Sequence, residues 1–378
     1  MTRFMNAVIK IIAIFMIIVI LNNIYTSQGL FSNYSFSNNY RLDLENYIVG
    51  VKIYGNITNL GKEPIYLNET DLFVFDYPLN LSDQRVIGAK AYVDSNISSY
   101  HITGTEDTAS LIIETPLANS TLKPNDTISV GVEYNVSINR KDRVLAIVDF
   151  NTYNTSFLIE KAGTWRDIPQ ELLINNTEST KLWNYTNPLI QLLLKYFNQT
   201  IDKNKPLSLV LNIMSWFDKN IIYSTRIPPR HPWEVLVEGA GDCDDQSNLL
   251  ITVLRAFKIP SYLEIGFVYI SKNYYYKGTE ANGYFIYVFK GGGGHGWVVA
   301  YIPPWGWLRI DLTASLGKGL DHIRNAAFYI LPTVVIERVR KGDYAVQSAK
   351  STQEIEEKHL LTYVVLEMID YQFVNNSS

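Results

Sequence analysis

The chain has 378 residues, more than one domain usually holds, so two domains with appendages are expected. Its apolar content of 47% is enough for real cores, and a net charge of −4 gives no basic surface for nucleic acid. A single cysteine excludes an intrachain disulfide and argues against a cysteine-based metal cluster, while 26 tyrosines against 19% charged residues favour β-rich surfaces outside the cytosol.

At the N-terminus, Arg3 and Lys10 precede an unbroken apolar stretch over 11–21, a positive-inside start with the remainder exported. The stretch is short against the roughly 20 residues of a spanning helix, although Ile24 and Tyr25 extend it. No small-x-small cleavage site follows around Tyr25, Thr26 and Ser27. Residues 1–28 therefore read as an uncleaved signal anchor, with a cleaved signal peptide as the alternative. The matching locations are a single-pass cell-membrane protein with extracellular C-terminal domains, or a secreted one. Asn-x-Ser/Thr sequons point the same way. They are dense from Asn33 to Asn198, including Asn56, Asn68, Asn80, Asn96, Asn125, Asn135 and Asn184, and then vanish until Asn375. Bulky glycans belong on loops away from a cleft, and the sequon-free stretch is the one that carries the candidate chemistry.

Residues 40–160 alternate with period two and are rich in β-branched side chains. Tyr47-Ile48-Val49-Gly50-Val51-Lys52-Ile53-Tyr54 reads as a strand and Asn59-Leu60-Gly61-Lys62 as a turn. Thr127-Ile128-Ser129-Val130-Gly131-Val132-Glu133-Tyr134 and Arg143-Val144-Leu145-Ala146-Ile147-Val148 alternate likewise. Such runs between Asn, Asp, Gly and Pro clusters predict an antiparallel β-sandwich that serves as a spacer or a ligand-binding module. Residues 165–205 form a helical connector, with Leu172, Leu173, Leu189, Leu192, Leu193 and Tyr196 at helical spacings. Pro206 opens a further helix carrying Leu209, Ile213, Trp216 and Phe217 on one face, the start of a domain over 206–340. The tail, 341–378, is predicted as a C-terminal helix from the spacing of Ile355, His359, Tyr363, Leu366 and Ile369.

Within 206–340 the segment Gly239-Ala240-Gly241-Asp242-Cys243-Asp244-Asp245-Gln246-Ser247 runs into an amphipathic helix with Leu249, Leu250, Val253, Leu254 and Phe257 inward. A lone cysteine is more often a small buried hydrophobe than a nucleophile. At a helix start, however, unpaired N–H groups and the macrodipole stabilise a thiolate and could serve an oxyanion beside it. Asp244 and Asp245 read as first-turn acids without a catalytic role. Downstream, His295 follows Gly291-Gly292-Gly293-Gly294 and opens a strand through Tyr301; Pro303-Pro304-Trp305-Gly306 turns, and Trp307-Leu308-Arg309-Ile310-Asp311 returns. Such a hairpin sets the head of one strand beside the end of the other, bringing His295 to Asp311 as base and orienting carboxylate. Tyr274, Tyr275, Tyr276 and the glycine tract read either as a mobile rim over the cleft or as an exposed hairpin tip. Trp297, Trp305 and Trp307 read as packing residues.

Gly241-Asp242-Cys243, Leu254-Arg255-Ala256-Phe257-Lys258-Ile259-Pro260, His295-Gly296-Trp297 and Gly306-Trp307-Leu308-Arg309-Ile310-Asp311-Leu312-Thr313 together resemble the transglutaminase-like superfamily core, over roughly 207–313. The resemblance implies an α+β fold. A papain-like core, with a Cys-bearing helix packed on an antiparallel sheet bearing His and Asp, would follow the N-terminal β-sandwich domain. It also implies roles: Cys243 as nucleophile, His295 as general base and acid, Asp311 as orienting carboxylate. Lys258 and Gly296 stand where the family commonly has Gly and Ala. A left-handed Lys258 at a helix end would cost about 1 kcal/mol. Trp216, Tyr223 and Trp233 are candidates for a side-chain donor to an oxyanion.

The expected activity is that of an exported cysteine peptidase or amidase acting on peptide or protein amides through a thioester, with cell-envelope protein as the substrate that location suggests. Hydrolysis is favoured over crosslinking. A protein-glutamine transamidase and a non-catalytic surface protein with the same core are the alternatives. No cofactor is demanded, and no carboxylate loop has a calcium spacing. The expected partners are a protein substrate and, through the N-terminal helix, a membrane.

Overall fold

The computed structural model describes residues 46–66, 73–114, 121–200, 204–315 and 317–371. The predicted signal anchor at 1–28 and the sequons at Asn33, Asn68 and Asn375 lie outside them. No helix among the described residues is long and apolar enough to cross a membrane.

The N-terminal region is built from β1 (Asn46–Asn59), β2 (Ile65–Tyr66), β3 (Val74–Asp76), β4 (Gln84–Val93), β5 (Asn96–Ser98), β6 (Tyr100–Gly104), β7 (Ala109–Ile113), β8 (Thr121–Leu122) and β9 (Thr127–Asn139). The predicted alternation is realised: Val49, Val51, Ile53 and Ile57 on β1, and Val130, Val132, Tyr134 and Val136 on β9, are buried. On the opposite face Lys52 and Glu133, paired across the two strands, make an ion pair of 3.2 Å. A smaller sheet, β3-β7-β6, meets the large one where the Tyr100 hydroxyl donates to the Ala89 carbonyl (3.2 Å) and the Tyr77 and Tyr134 rings meet edge-on at 5.5 Å.

Residues 143–148 are not the predicted strand. They lie in α1 (Arg140–Leu145) and α2 (Val148–Thr152). Asn139 caps α1 by accepting from the Asp142 N–H, and the helical turn buries Arg143 against Asp83 at 2.6 Å and the Thr333 carbonyl at 2.7 Å. A charged side chain that needs a buried acid overrides a six-residue alternation. Helix α3 (Thr155–Lys161) follows, at the end of the span read as β-sandwich, and α4 (Gln170–Asn176) and α5 (Pro188–Thr200) lie in the 165–205 stretch.

The C-terminal domain continues with α6 (Pro206–Asn220), β10 (Ile222–Tyr223), α7 (Pro232–Glu238), β11 (Ala240–Gly241) and α8 (Cys243–Ala256). Strands β12 (Ser261–Tyr269), β13 (Tyr275–Glu280), β14 (Phe285–Lys290), β15 (Gly292–Ile302) and β16 (Gly306–Ile310) follow, then α9 (Asp321–Arg324), α10 (Ala327–Ile330) and β17 (Thr333–Val339). An antiparallel sheet in the order β16-β15-β12-β17 carries the predicted hairpin.

The tail corrects the expectation of a single C-terminal helix. Helix α11 (Tyr344–Glu357) stops at His359, which takes a left-handed φ of 51°, and β18 (Leu360–Asp370) pairs antiparallel with β1 from Asn59↔Leu360 to Val49↔Asp370. The run Leu361-Thr362-Tyr363-Val364-Val365 is β-branched and aromatic, and that property outweighs the accidental helical spacing. The large sheet therefore reads β13-β14-β18-β1-β9-β4-β5, and a division of the chain at residue 160 does not divide this sheet.

The glycine tract is neither a rim nor a hairpin tip. At Gly291 (φ 74°) the chain leaves β14 in the large sheet and enters β15 in the smaller one, and residues 292–294 are buried. A Cβ at Gly291 would lie 2.1 Å from the Met368 carbonyl oxygen and one at Gly292 2.0 Å from that of Val268, so the sheets cross too closely for any side chain. Tyr275 and Tyr276 sit on β13, at the edge of the large sheet.

Helix α8 ends in a Schellman motif. The Lys258 N–H donates to Arg255 O (3.0 Å) and the Ile259 N–H to Leu254 O (2.9 Å), with Lys258 at φ 61° as expected for that position. Lys258→Gly should raise stability by up to about 1 kcal/mol in thermal or urea unfolding, because glycine carries no left-handed penalty; a loss of stability would contradict this.

Candidate active site

The start of α8 is fixed by carboxylates. Asp242 is the N-cap: its Oδ1 accepts from the Asp245 N–H, while Asp245 Oδ2 accepts from the Asp242 N–H, each at 3.4 Å. Asp245 also receives the Arg230 N–H and guanidinium, both at 2.7 Å, and the Tyr344 hydroxyl donates to Asp244 Oδ2 at 2.8 Å. These contacts agree with the structural reading of Asp244 and Asp245. Their anchors Arg230 and Tyr344 carry no local sequence signal. Cys243 is thereby held as the first helical residue, fully buried.

The hairpin register Val298↔Ile310 sets Asp311, the residue after β16, diagonally across from His295 in the part of β15 that runs beyond the pairing. Their side chains meet through His295 Nε2 and Asp311 Oδ2 at 2.7 Å, both 1% exposed. Asp311 Oδ1 further accepts the N–H groups of Thr313 (3.0 Å) and Ala314 (2.9 Å), and Oδ2 that of Ala327 (3.2 Å). Burial alone would raise this carboxyl. The His295 ring beside it and the N–H groups of Ala314 and Thr313 outweigh burial and hold it well below the usual carboxylate range. His295 Nδ1 is buried and has no hydrogen-bond partner among the described residues. The ring lies 5.7 Å from that of Trp297, whose Nε1 donates to Glu264 at 3.0 Å; Glu264 is in turn held by Arg309 (3.0 Å) and Arg338 (3.1 Å). Trp297 is thus a packing residue, as are Trp305 against Phe150 at 4.8 Å and Trp307 against Tyr262 at 5.0 Å.

Cys243 joins this pair through Gly296, whose backbone N–H hydrogen-bonds the sulfur. A Cβ at Gly296 would stand 3.3 Å from Asp244 Cβ, so the smallest side chain suits the close approach of β15 to α8. The negative charge of Asp311 is also felt at the sulfur. The three predicted residues therefore converge where α8 begins and the hairpin ends.

The expectation of a preformed thiolate is not met. Burial, followed by the charges of Asp244 and Asp242, pushes the Cys243 thiol well above its ordinary value, and the Gly296 N–H offsets only part of this. The acids themselves respond to burial and to one another: Asp242 is pushed well up and Asp245 up to about 7. The helix dipole favours a thiolate, but burial of the sulfur, with the acidic first turn second to it, opposes that. Among the described residues, one cluster, Asp242, Cys243 and Asp244, brings donor atoms within 4.8 Å in a way that could hold a metal ion. Its carboxylates already cap α8 and accept from Tyr344, which accounts for their placement without an ion.

Of the three candidate oxyanion donors, Tyr223 is the one beside the sulfur. It pairs with Gly241 across β10 and β11, and burial and then the Cys243 charge push its phenol well above the usual range. Trp216 packs between Phe197 (5.4 Å) and Phe217 (5.5 Å), and Trp233 is 40% exposed on α7. A cavity of about 450 Å³, lined by Tyr185, Gln191, Leu194, Lys195 and Ala256 among others, lies at the opposite end of α8 from Cys243.

Residues 195–312 match the sequence model of the transglutaminase-like superfamily, an interval that contains Cys243, His295 and Asp311. This segment is a transglutaminase-like core. No curated protein matches the chain in sequence. A solved structure described as "a Putative Cysteine Protease from Cytophaga hutchinsonii" is similar with a TM-score of 0.48 and 16% identity, covering 86% of this chain and 92% of that one.

Because the thiol is buried and its ionisation opposed, iodoacetamide should label Cys243 in the unliganded protein more slowly than a free thiol at matched pH, with a rate that climbs only at alkaline pH. Faster labelling than the free thiol at mildly acidic pH, followed by intact mass, would contradict the raised thiol.

Proposed function

We propose that this chain is an exported thiol enzyme that cleaves or transfers acyl groups of peptide and protein amides through a thioester on Cys243. The observation that carries this reading is the state of His295: Nε2 is bonded to an ionised Asp311, and Nδ1 is buried without a partner on the strand whose next residue donates to the Cys243 sulfur. An imidazole so oriented has one nitrogen left for a proton.

The thiol proton passes to His295 Nδ1 as the sulfur attacks the amide carbonyl; a C–S bond forms and the carbonyl electrons move to oxygen. The N–H groups at the start of α8 and the Tyr223 hydroxyl are the donors for that oxyanion. As the carbonyl re-forms, the C–N bond breaks and the imidazolium gives its proton to the leaving amine. Water, deprotonated by the same nitrogen, then attacks the thioester and releases a carboxylic acid and the thiol. Asp311 stabilises the imidazolium in each half-reaction without taking the proton. The raised thiol suits proton transfer within the substrate complex rather than a standing ion pair. With all three groups buried, substrate reaches the sulfur only when neighbouring segments part.

Hydrolysis is preferred to transamidation because microbial members of the superfamily that 207–313 resembles are more often hydrolases than crosslinkers. The same burial favours a second reading, a non-catalytic surface protein with an intact core. Export rests on the apolar N-terminal run and on the sequons, and solvent exposure of Asn56, Asn80, Asn96, Asn125, Asn135 and Asn184 is compatible with glycans there. A cell-envelope protein as substrate follows from location alone.

Incubation of the full chain with a peptide library, in water and with an added primary amine, should yield new carboxyl termini in preference to amine adducts. Cys243→Ala should abolish turnover and His295→Ala reduce it by about 10²–10⁴-fold. Turnover that survives Cys243→Ala, or none in the wild type under any acceptor, would overturn the enzyme reading.

A further inference from the structure

A second histidine–carboxylate pair stands directly behind the first. Asp218, near the C-terminal end of α6, places Oδ1 2.7 Å from His322 Nε2, and its Oδ2 accepts the Gly319 N–H at 2.9 Å. The other ring nitrogen of His322, Nδ1, lies 2.7 Å from Ser315 Oγ and 3.1 Å from the Asp311 carbonyl oxygen. The Asp311 N–H in turn donates to the His322 carbonyl at 2.9 Å. Both main-chain polar groups of Asp311 therefore end on one residue, while its side chain takes the N–H groups of Thr313 and Ala314 in the same turn. Ser315 and His322 are buried, at 1% and 2% exposure.

We infer that Asp218 and His322 are positioning residues for the acyl-transfer reaction, pinning the loop that follows β16 so that Asp311 meets His295 at hydrogen-bonding distance. This rests on the acyl-transfer reading for its catalytic meaning, although the pin itself is a matter of geometry. A carboxylate is only an acceptor, so Nε2 of His322 carries a proton toward Asp218, which fixes the ring plane and its tautomer. On the opposite edge Nδ1 then accepts the Ser315 hydroxyl, while the His322 carbonyl holds the Asp311 N–H, so the residue braces the turn through both its ring and its main chain. Ser315, His322 and Asp218 have the layout of a hydrolase triad, but they differ from the pair in front. Nδ1 of His322 is already taken by the Ser315 hydroxyl, whereas Nδ1 of His295 is bare. A base needs the vacant nitrogen; a brace needs the occupied one. Lengthening a 2.7 Å contact by about 1 Å is enough to cost on the order of 100-fold in rate.

The test uses the full chain with ¹⁵N-labelled histidine. In the wild type the buried His295 Nε2–H should give a low-field proton resonance, identified by its loss in Asp311→Ala. In His322→Gln, and in the milder Asp218→Asn if the former does not fold, that resonance should move upfield or broaden by solvent exchange while the circular-dichroism spectrum is kept. In the peptide assay the same variants should lose about 10- to 100-fold in kcat with little change in KM. Placed on top of Asp311→Ala, either should cost less than a further twofold, since its effect runs through Asp311. An unchanged resonance, or rate losses that multiply with Asp311→Ala, would overturn the assignment. A wild type without turnover, yet with a resonance that responds to His322→Gln, would retain the pin and remove only the acyl-transfer reading.

Discussion

The buried hydrogen bond between His295 and Asp311 is the interaction on which the site depends. It unites a residue of β15 with the residue that follows β16, and the register Val298↔Ile310 sets the two diagonally, two positions apart. An ionised carboxylate with 1% exposure survives because five donors converge on it: His295, the N–H groups of Thr313, Ala314 and Ala327, and the Thr313 hydroxyl. Once Asp311 is charged, the ring has one orientation, and its free nitrogen has one direction in which to act. Much of the surrounding structure supports this bond, from the crossing of sheets at Gly291 that aims β15 to the Glu264 cluster that holds Trp297 against the ring.

The second constraint is electrostatic and works against the first intuition about the nucleophile. A helix start offers a cysteine partial positive charge, yet here it offers three acids as well. The acids earn their place structurally, since Asp242 and Asp245 cap α8 and tie it to Arg230, and Asp244 ties it to Tyr344 on α11. Burial of the sulfur, and then the charges of Asp244 and Asp242, push the thiol up. In the proposed reaction two tasks are thus separate, with acids fixing the helix and the histidine activating the thiol.

The parts of the structure that depend on near neighbours in sequence were legible in it. The Pro206 helix, the helix at Cys243, the left-handed Lys258 and the Pro303-Pro304 turn each carry a short-range signal, and the hairpin brought His295 to Asp311 without further information. The parts that failed depend on distant partners. Strand β18 reads as helix until β1 is there to pair with it, and Arg143 reads as strand until Asp83 is there to bury it. The thiol's raised value comes from its own burial and then from the charges of Asp244 and Asp242, neither of which spacing reveals. Asp218 and His322 stand 104 residues apart, with no motif joining them. The division into a β-domain and a catalytic domain describes composition well. It does not describe the large sheet, which takes β13, β14 and β18 from the C-terminal half.

The central claim is that Cys243 carries a substrate acyl group covalently. The most direct measurement is the intact mass of the full chain after rapid acid quench during turnover of a peptide substrate. The predicted result is a single added acyl mass, located on the Cys243 peptide, released by hydroxylamine and absent from Cys243→Ala. Amide cleavage by the wild type with no such adduct at any quench time, or an adduct that persists in Cys243→Ala, would contradict it.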